Sequence, residues 1–333
     1  MVTLGRAANA MSEANYLDLI KSLGFNRIVD RETIQSLWAG YGQLVRLFVD
    51  DTSVVIKHIQ LPESSSHPRG WNTQHAHQRK LKSYQVELNW YLHYAQKAHP
   101  YCPQPKPLLV KEGSHELLLV MEDLSQRGFR RTLTSSTSVE KDACLKWLAW
   151  FHASHIKPET ERLWTTGTYW HLGTRPDELE ALADLPLRSA AESIDQILQH
   201  SPYQTLVHGD AKLANFCFSN DGKQAAAVDF QYVGGGCAMK DVALFMSSSV
   251  PPEQCFEMEN WILDTYFTHL NEALSTLKPT LNQAEVELVW RPLFPIAWAD
   301  FQRFVKGWSP NHWKINAYTE ALTKKALAQL SAY

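Results

Sequence analysis

The chain has 333 residues, enough for roughly two domains at ~150 residues each. Lys and Arg number 32 against 35 Asp and Glu, a net charge of −3, so there is no basic footprint for holding nucleic acid through its phosphates. At 44% hydrophobic and 20% charged residues the chain lies outside the disordered class, no run reaches the ~18 apolar residues of a membrane span, and five scattered cysteines form no CxxC pair. Residues 1–15 carry no apolar core of signal-peptide type, and the expectation is a soluble, reduced, cytoplasmic protein.

In chain order, Ser12 is placed to cap a short helix with Leu17, Ile20 and Leu23 on its apolar face and Gly24 as its stop. Residues 33–38, 43–49 and 53–59 read as strands, joined through Ala39-Gly40-Tyr41-Gly42 and an Asp50-Asp51 turn. Residues 62–73, bearing Ser, Pro and Gly, read as a mobile loop. From 77 to 97 the pattern is helical, with Leu81, Tyr84, Leu88, Tyr91, Leu92 and Ala95 in register, until a Pro-rich run ends it. Residues 108–110 and 116–121 suggest a hairpin around Glu112-Gly113-Ser114. Beyond Asp123 helices are expected at 138–155, 239–249, 252–277, 283–290, 296–306 and 318–330, with short strands at 204–207, 216–219 and 225–230. The expected class is α+β, with a β-rich lobe at 1–121 and a larger, mostly helical lobe at 122–333.

The most informative stretch is Leu206-Val207-His208-Gly209-Asp210-Ala211-Lys212-Leu213-Ala214-Asn215, followed by Val228-Asp229-Phe230-Gln231. Phosphoryl transfer needs such a set. One carboxylate, Asp210, orients an attacking hydroxyl and accepts its proton. An amide and a second carboxylate, Asn215 and Asp229, are hard oxygen ligands for Mg²⁺. Lys212 is two residues from Asp210 and can meet the transferred phosphate as a point charge. Singly these residues are ordinary turn formers; as an ordered set between apolar strands they point to chemistry. His208 is read as holding the loop by hydrogen bonds rather than as a base or ligand.

His-Gly-Asp-x-x-x-x-Asn followed by Asp-Phe-Gln resembles the catalytic and metal loops of the aminoglycoside phosphotransferase and choline kinase superfamily. Val120-Met121-Glu122-Asp123-Leu124, Asp229-Phe230-Gln231 and Gly236-Cys237-Ala238-Met239-Lys240-Asp241-Val242-Ala243 are most similar to its ecdysteroid-kinase-like, or CHK-kinase-like, branch. The resemblance implies a bilobal protein-kinase-like fold, use of ATP and Mg²⁺, and phosphorylation of a small-molecule alcohol, with neither nucleic acid nor membrane as partner. It makes Asp210 the catalytic base and Asn215 and Asp229 the metal ligands, with Asp241 bracing the catalytic loop.

A kinase also needs a lysine inside a first-lobe strand. Val54-Val55-Ile56-Lys57-His58-Ile59 supplies Lys57, and a charge in an apolar strand calls for an acidic partner, for which Glu87 on the following helix is the candidate. Gly40-Tyr41-Gly42 stands where a phosphate-covering turn belongs, though it would equally serve a tight hairpin. Met121, Glu122 and Leu124 resemble the linker whose backbone reads adenine.

The acceptor is less legible. Trp164, Tyr169, Trp170, Trp298, Phe301, Trp308 and Trp313 either form core or offer faces to a quaternary ammonium, and core is favoured; Asp300 and Arg303 are placed toward the cleft by family analogy. His75 and His77 read as solvated surface rather than a metal pair. Three other functions compete. One is a pseudokinase without chemistry. Another is a metallohydrolase using His208, Asp210 and Asp229. The third, a protein kinase, is disfavoured by His-Gly-Asp and Asp-Phe-Gln in place of His-Arg-Asp and Asp-Phe-Gly.

Overall fold

The computed structural model describes residues 11–37, 40–61 and 71–331. Its contacts divide them into two compact units, one up to Lys97 together with Gln104–Arg130, the other Ala98–Pro103 together with Arg131 onward.

The first unit opens with helix α1 (Glu13–Ser22), where the Ser12 side chain accepts the Asn15 N–H and Gly24 turns the chain out at φ +91°. Strands β1 (Ile28–Ser36), β2 (Gly42–Val49), β3 (Thr52–Gln60), β4 (Pro107–Glu112) and β5 (Glu116–Glu122) form one antiparallel sheet in the order β1-β2-β3-β5-β4. β2 alternates from Val45 on, and one face of β2 and β3 packs on α1, where Tyr16, Leu19 and Ile20 cluster with Val45, Leu47, Val49, Val54 and Ile56; β3, deeper in the sheet, is buried on both faces. β1 begins at 28 rather than 33. Its charged residues Asp30, Arg31 and Glu32 hide the strand from a hydrophobicity reading, yet suit an exposed edge that must not recruit another strand.

Helix α2 (Trp71–His93) starts six residues before the expected 77, so 71–73 are helix and not loop. The rest of the expected mobile loop, 62–70, lies outside the described residues, as do Trp38, Ala39 and residues 1–10.

In the second unit, α3 (Ser138–Ser154) starts at a capping box formed by Thr137 and Glu140. Helices α4 (Pro176–Ala181) and α5 (Leu185–His200) were absent from the sequence reading. Three short strands follow, β6 (Thr205–Val207), β7 (Phe216–Phe218) and β8 (Ala225–Ala227), and then β9 (Gly234–Gly236). β6 pairs with β9 and β7 with β8, both antiparallel. Helices α6 (Met239–Ser249), α7 (Cys255–Leu277), α8 (Gln283–Trp290), α9 (Phe294–Trp308) and α10 (Ala317–Leu330) complete it. No described helix is long and apolar enough to cross a membrane.

Leu47 is fully buried between the sheet and α1. Leu47→Ala is expected to lower stability by about 2–5 kcal/mol through transfer and cavity terms, read as a shift in the denaturant midpoint; a loss below about 0.5 kcal/mol would contradict this core assignment.

Candidate active site

In the first unit Lys57 sits mid-strand on β3, opposite Leu44 of β2 and Leu119 of β5. The pleat carries its side chain to a buried face, where Nζ meets Glu87 Oε2 of α2 at 2.5 Å and also lies 5.8 Å from the Tyr84 ring centroid. Both side chains are almost wholly out of water. Such a pair is retained only if each charge compensates the other's lost hydration.

Gly40, at φ +74°, makes the turn into β2. Gly42 is required for another reason: a Cβ there would stand 1.9 Å from the His58 carbonyl oxygen across the sheet. Met121 ends buried on β5, the Glu122 N–H is taken by the Lys106 carbonyl, and Leu124 begins a short 3-10 turn. Asp123 was not singled out in the sequence, yet it organises this stretch. Its carboxylate accepts from Arg46 Nε at 2.6 Å, Ser53 Oγ at 2.7 Å and the Ser125 N–H. Burial would raise its pKa, but these donors together hold it below the ordinary carboxylate value.

In the second unit, strand β6 delivers the chain into the loop at His208. Gly209 takes φ +82°, and a Cβ there would lie 2.0 Å from the Tyr232 carbonyl oxygen, so only glycine fits. Asp241, one turn into α6 and fully buried, receives the loop. Oδ2 accepts the His208 N–H at 2.6 Å, Oδ1 accepts the Gly209 N–H at 3.0 Å, and His152 Nε2 lies 3.0 Å from Oδ2. His152 in turn meets the Tyr266 hydroxyl through Nδ1 at 2.8 Å.

His208 is buried, and burial lowers its pKa despite the nearby Asp241 and Asp229 charges. Its Nδ1 accepts the Asp210 N–H at 3.2 Å, leaving Nε2–H to donate to the Val228 carbonyl at 3.0 Å. The ring ties the Asp210 loop to the Asp229 loop. Both ring nitrogens are thus engaged in holding the two loops together.

The structure brings Asp210, Lys212 and Asn215 together. Asp210 Oδ2 lies 3.3 Å from Lys212 Nζ and accepts from Asn215 Nδ2 at 3.1 Å, while the same amide also donates to the Asp210 carbonyl at 2.8 Å. Oδ1 is buried and has no hydrogen-bond partner among the described residues. Burial pushes the carboxyl up to about 6, with Lys212 opposing and the Asp229 charge adding. Lys212 is held more firmly protonated by Asp210.

Asp229 ends the expected strand early, because its φ of +66° leaves the extended region after β8. Its Oδ1 accepts from Gln231 Nε2 at 2.7 Å, so the glutamine of Asp-Phe-Gln orients the carboxylate. Among the described residues no group of three or more His, Cys, Asp or Glu side chains is arranged to hold a metal ion. A magnesium site needs less, since that ion keeps several waters and takes one or two carboxylates beside phosphate oxygens. Asn215 commits its NH₂ to Asp210 and so presents Oδ1, and Asp229 adds a carboxylate, a hard-oxygen set that fits the ion.

Two expectations are corrected. Asp300 and Arg303 do not face a cleft: both are wholly buried, 2.9 Å apart, with Trp170 donating to Asp300 and Lys240 Nζ 3.7 Å away. Burial would raise Asp300, but Arg303 and Lys240 hold it below the ordinary carboxylate value. Of the aromatics, Trp164, Trp170, Trp298 and Phe301 are core, whereas Trp308 and Trp313 are exposed. His77 Nδ1 meets the Tyr41 hydroxyl at 2.5 Å. One residue missed in the sequence is Lys314, whose charge interacts with Asp210 and Lys212 from a polar loop without a motif.

A model described as the phosphotransferase enzyme family matches residues 33–267, and the chain belongs to that family of phosphotransferases. Among solved structures it resembles the microcompartment-associated aminopropanol kinase, at 11% identity over 95% of this chain and 96% of that one, with a TM-score of 0.56. It also resembles spectinomycin phosphotransferase in complex with ADP and spectinomycin, at 11% identity over 97% of this chain and 98% of that one, TM-score 0.51. Likeness at this identity defines the fold, the α+β protein-kinase-like one. No curated protein matches the sequence.

Because Lys57 and Glu87 are both buried, Lys57→Met is expected to cost about 3–5 kcal/mol by stranding the glutamate. The double change Lys57→Met with Glu87→Leu should recover most of that. Calorimetric melting of the three proteins checks it; a double variant as unstable as the single one would show that the lysine matters for some other contact.

Proposed function

We propose that the protein is an active kinase, dependent on ATP and Mg²⁺, that transfers the γ-phosphate of ATP to a hydroxyl group of a small molecule. The observation that carries this reading is a single atom. Asp210 Oδ1 is buried without a partner while Oδ2 is fully engaged. An unmade hydrogen bond at a buried carboxylate oxygen costs on the order of 1–3 kcal/mol or more. A hydroxyl donor satisfies it, and the same donor is the nucleophile this chemistry requires.

In the proposed reaction the acceptor O–H donates to Asp210 Oδ1, which aims the oxygen lone pair at phosphorus. As the new P–O bond forms and the bond to the ADP oxygen breaks, the proton passes to Oδ1. The raised proton affinity of this carboxyl suits it to take the proton late in the step. Lys212 Nζ, beside Oδ2, offsets charge on the transferred group. Magnesium, when bound, neutralises phosphate charge, and Asn215 Oδ1 with the Asp229 carboxylate would hold it. Lys57, steadied by Glu87, is assigned to the nucleotide phosphates, the Gly40–Gly42 turn to close backbone approach, and the backbone of Met121, Glu122 and Leu124 to adenine. The division of nucleotide binding to residues 1–121 and catalysis with acceptor binding to 122–333 belongs to the same proposal.

Within the family we place the chain in the ecdysteroid-kinase-like branch. Asp229-Phe230-Gln231 and the 236–243 segment support this, the glutamine having a task that glycine cannot perform. All five cysteines are free, which supports a reducing, cytoplasmic setting. A pseudokinase is the second reading, favoured by one observation: packing against His58 alone explains Gly42, without any phosphate.

Asp210→Asn is expected to lower turnover by about 10²-fold or more with nucleotide affinity unchanged within about twofold. ADP release across a panel of alcohols, with calorimetric titration by ATP with and without Mg²⁺, tests both. Unchanged turnover would remove Asp210 from its role. Tight ATP binding by the wild-type chain with no ADP release on any alcohol would establish the pseudokinase instead.

A further inference from the structure

We propose that Thr168 is a positioning residue for phosphoryl transfer, a stiff spacer that fixes the separation of the Asp210 and Asp229 loops. This rests on the phosphotransferase reading and adds a residue to its machinery. Thr168 lies in the segment between α3 and α4, within the second unit. Its N–H donates to the carbonyl of Tyr232, in the loop that begins at Asp229, at 3.1 Å. The next N–H, that of Tyr169, donates to the carbonyl of Gly209, immediately before Asp210, at 3.2 Å. Two successive N–H groups of one segment thus hold the two loops. The fit is close: a Cβ on Gly209 would stand 2.0 Å from the Tyr232 carbonyl oxygen and 2.9 Å from the Thr168 nitrogen.

Both ends of the segment are anchored. Trp164 runs beside β9: its N–H donates to the Val233 carbonyl at 3.2 Å, its carbonyl accepts the Gly235 N–H at 3.1 Å, and its indole N–H donates to the Gln231 carbonyl at 2.8 Å. Trp170 is gripped by the buried pair on α9, its indole N–H donating to Asp300 Oδ2 at 2.9 Å and its carbonyl accepting from Arg303 Nη2 at 2.7 Å. Between these anchors Thr168 takes φ +92°. For a β-branched residue that conformation is a genuine outlier, which glycine adopts without steric penalty. The Thr168 hydroxyl is a second liability: it is buried and has no hydrogen-bond partner among the described residues. Threonine is thus disfavoured twice over at this position, and stability does not account for it. Strain of this kind gathers where geometry serves chemistry. What threonine offers over glycine is stiffness. Its β-branch restricts the conformations open to it, whereas glycine would let the segment move among several and loosen the spacing of the two loops.

The test compares Thr168→Gly and Thr168→Val with the wild-type full chain, by melting temperature and by steady-state kinetics with ATP, Mg²⁺ and an alcohol that the wild-type chain phosphorylates. Thr168→Gly is expected to melt at the same temperature or higher, while kcat falls about tenfold or more and both KM values stay within about twofold. Thr168→Val keeps the β-branch and removes only the unpartnered hydroxyl, so its kcat should stay within about threefold of wild type. A purely structural threonine would lose activity only in step with stability. Thr168→Gly with undiminished kcat, or with a loss of kcat matched by a fall in melting temperature, would overturn the proposal. So would Thr168→Val as slow as Thr168→Gly, which would place the hydroxyl rather than the backbone in the reaction. Each of these outcomes leaves the kinase reading intact. ATP binding by the wild-type chain with no transfer to any alcohol would overturn the kinase reading and this one with it.

Discussion

The loop from His208 to Asn215 depends on one buried carboxylate, Asp241. Asp241 accepts the backbone N–H groups of His208 and Gly209 and is met by the His152 ring, all within 3.0 Å. Burying an ionised carboxylate is expensive unless its lone pairs are filled, and these three donors fill them. The gain is geometric. With the backbone pinned at 208 and 209, and glycine alone able to pass Tyr232, Asp210 has one permitted place. There Lys212 and Asn215 engage one of its oxygens and leave the other open. His208 carries the same restraint to the next loop through Val228, immediately before Asp229.

The molecule handles buried charge in three ways, and the differences separate structure from chemistry. Asp300 is met by Arg303, Trp170 and Lys240. A carboxylate so surrounded has nothing to offer a ligand, and its lowered proton affinity makes it a poor base. Lys57 and Glu87 offset one another's charge in the first unit, which keeps a cation buried inside a sheet. Asp210 is left incomplete, with its proton affinity raised by burial. An unsatisfied oxygen on a buried carboxyl calls for an explanation, and a bound donor would supply one.

The parts of the fold that could be read from the sequence were those in which local pattern and tertiary role agree. Strands β2 and β3, the Ser12 cap and Gly24 stop, and the helices beyond residue 239 all lie close to their expected bounds. Helix α5 also carries its signals in the sequence, an Asp184 cap, Pro186 in the first turn and Leu187, Ala191, Ile194 and Leu198 on one face. Strand β9 is three glycines and has no strand propensity; close backbone approach explains it, since a Cβ at Gly234 would meet the Trp164 carbonyl at 2.2 Å. The grouping of Asp210, Lys212 and Asn215 was legible because a short loop keeps sequence neighbours near one another. Lys314 was not, because it packs on Ser247 of α6 from a later segment, through a contact no spacing encodes. Asp300 and Arg303 were misplaced for the opposite reason: analogy assigned them to a cleft, and the packing of α9 turns them inward.

The claim most exposed to test is that Asp241 serves catalysis only by placing Asp210. A double-mutant cycle on turnover addresses it directly, comparing Asp241→Asn, Asp210→Asn and the two combined in the same acceptor assay. The account requires strong non-additivity: once Asp210 is gone, losing Asp241 as well should slow the residual reaction no further. If instead the two losses multiply, Asp241 acts on the reaction independently of Asp210, and the restraint described here is not its catalytic role.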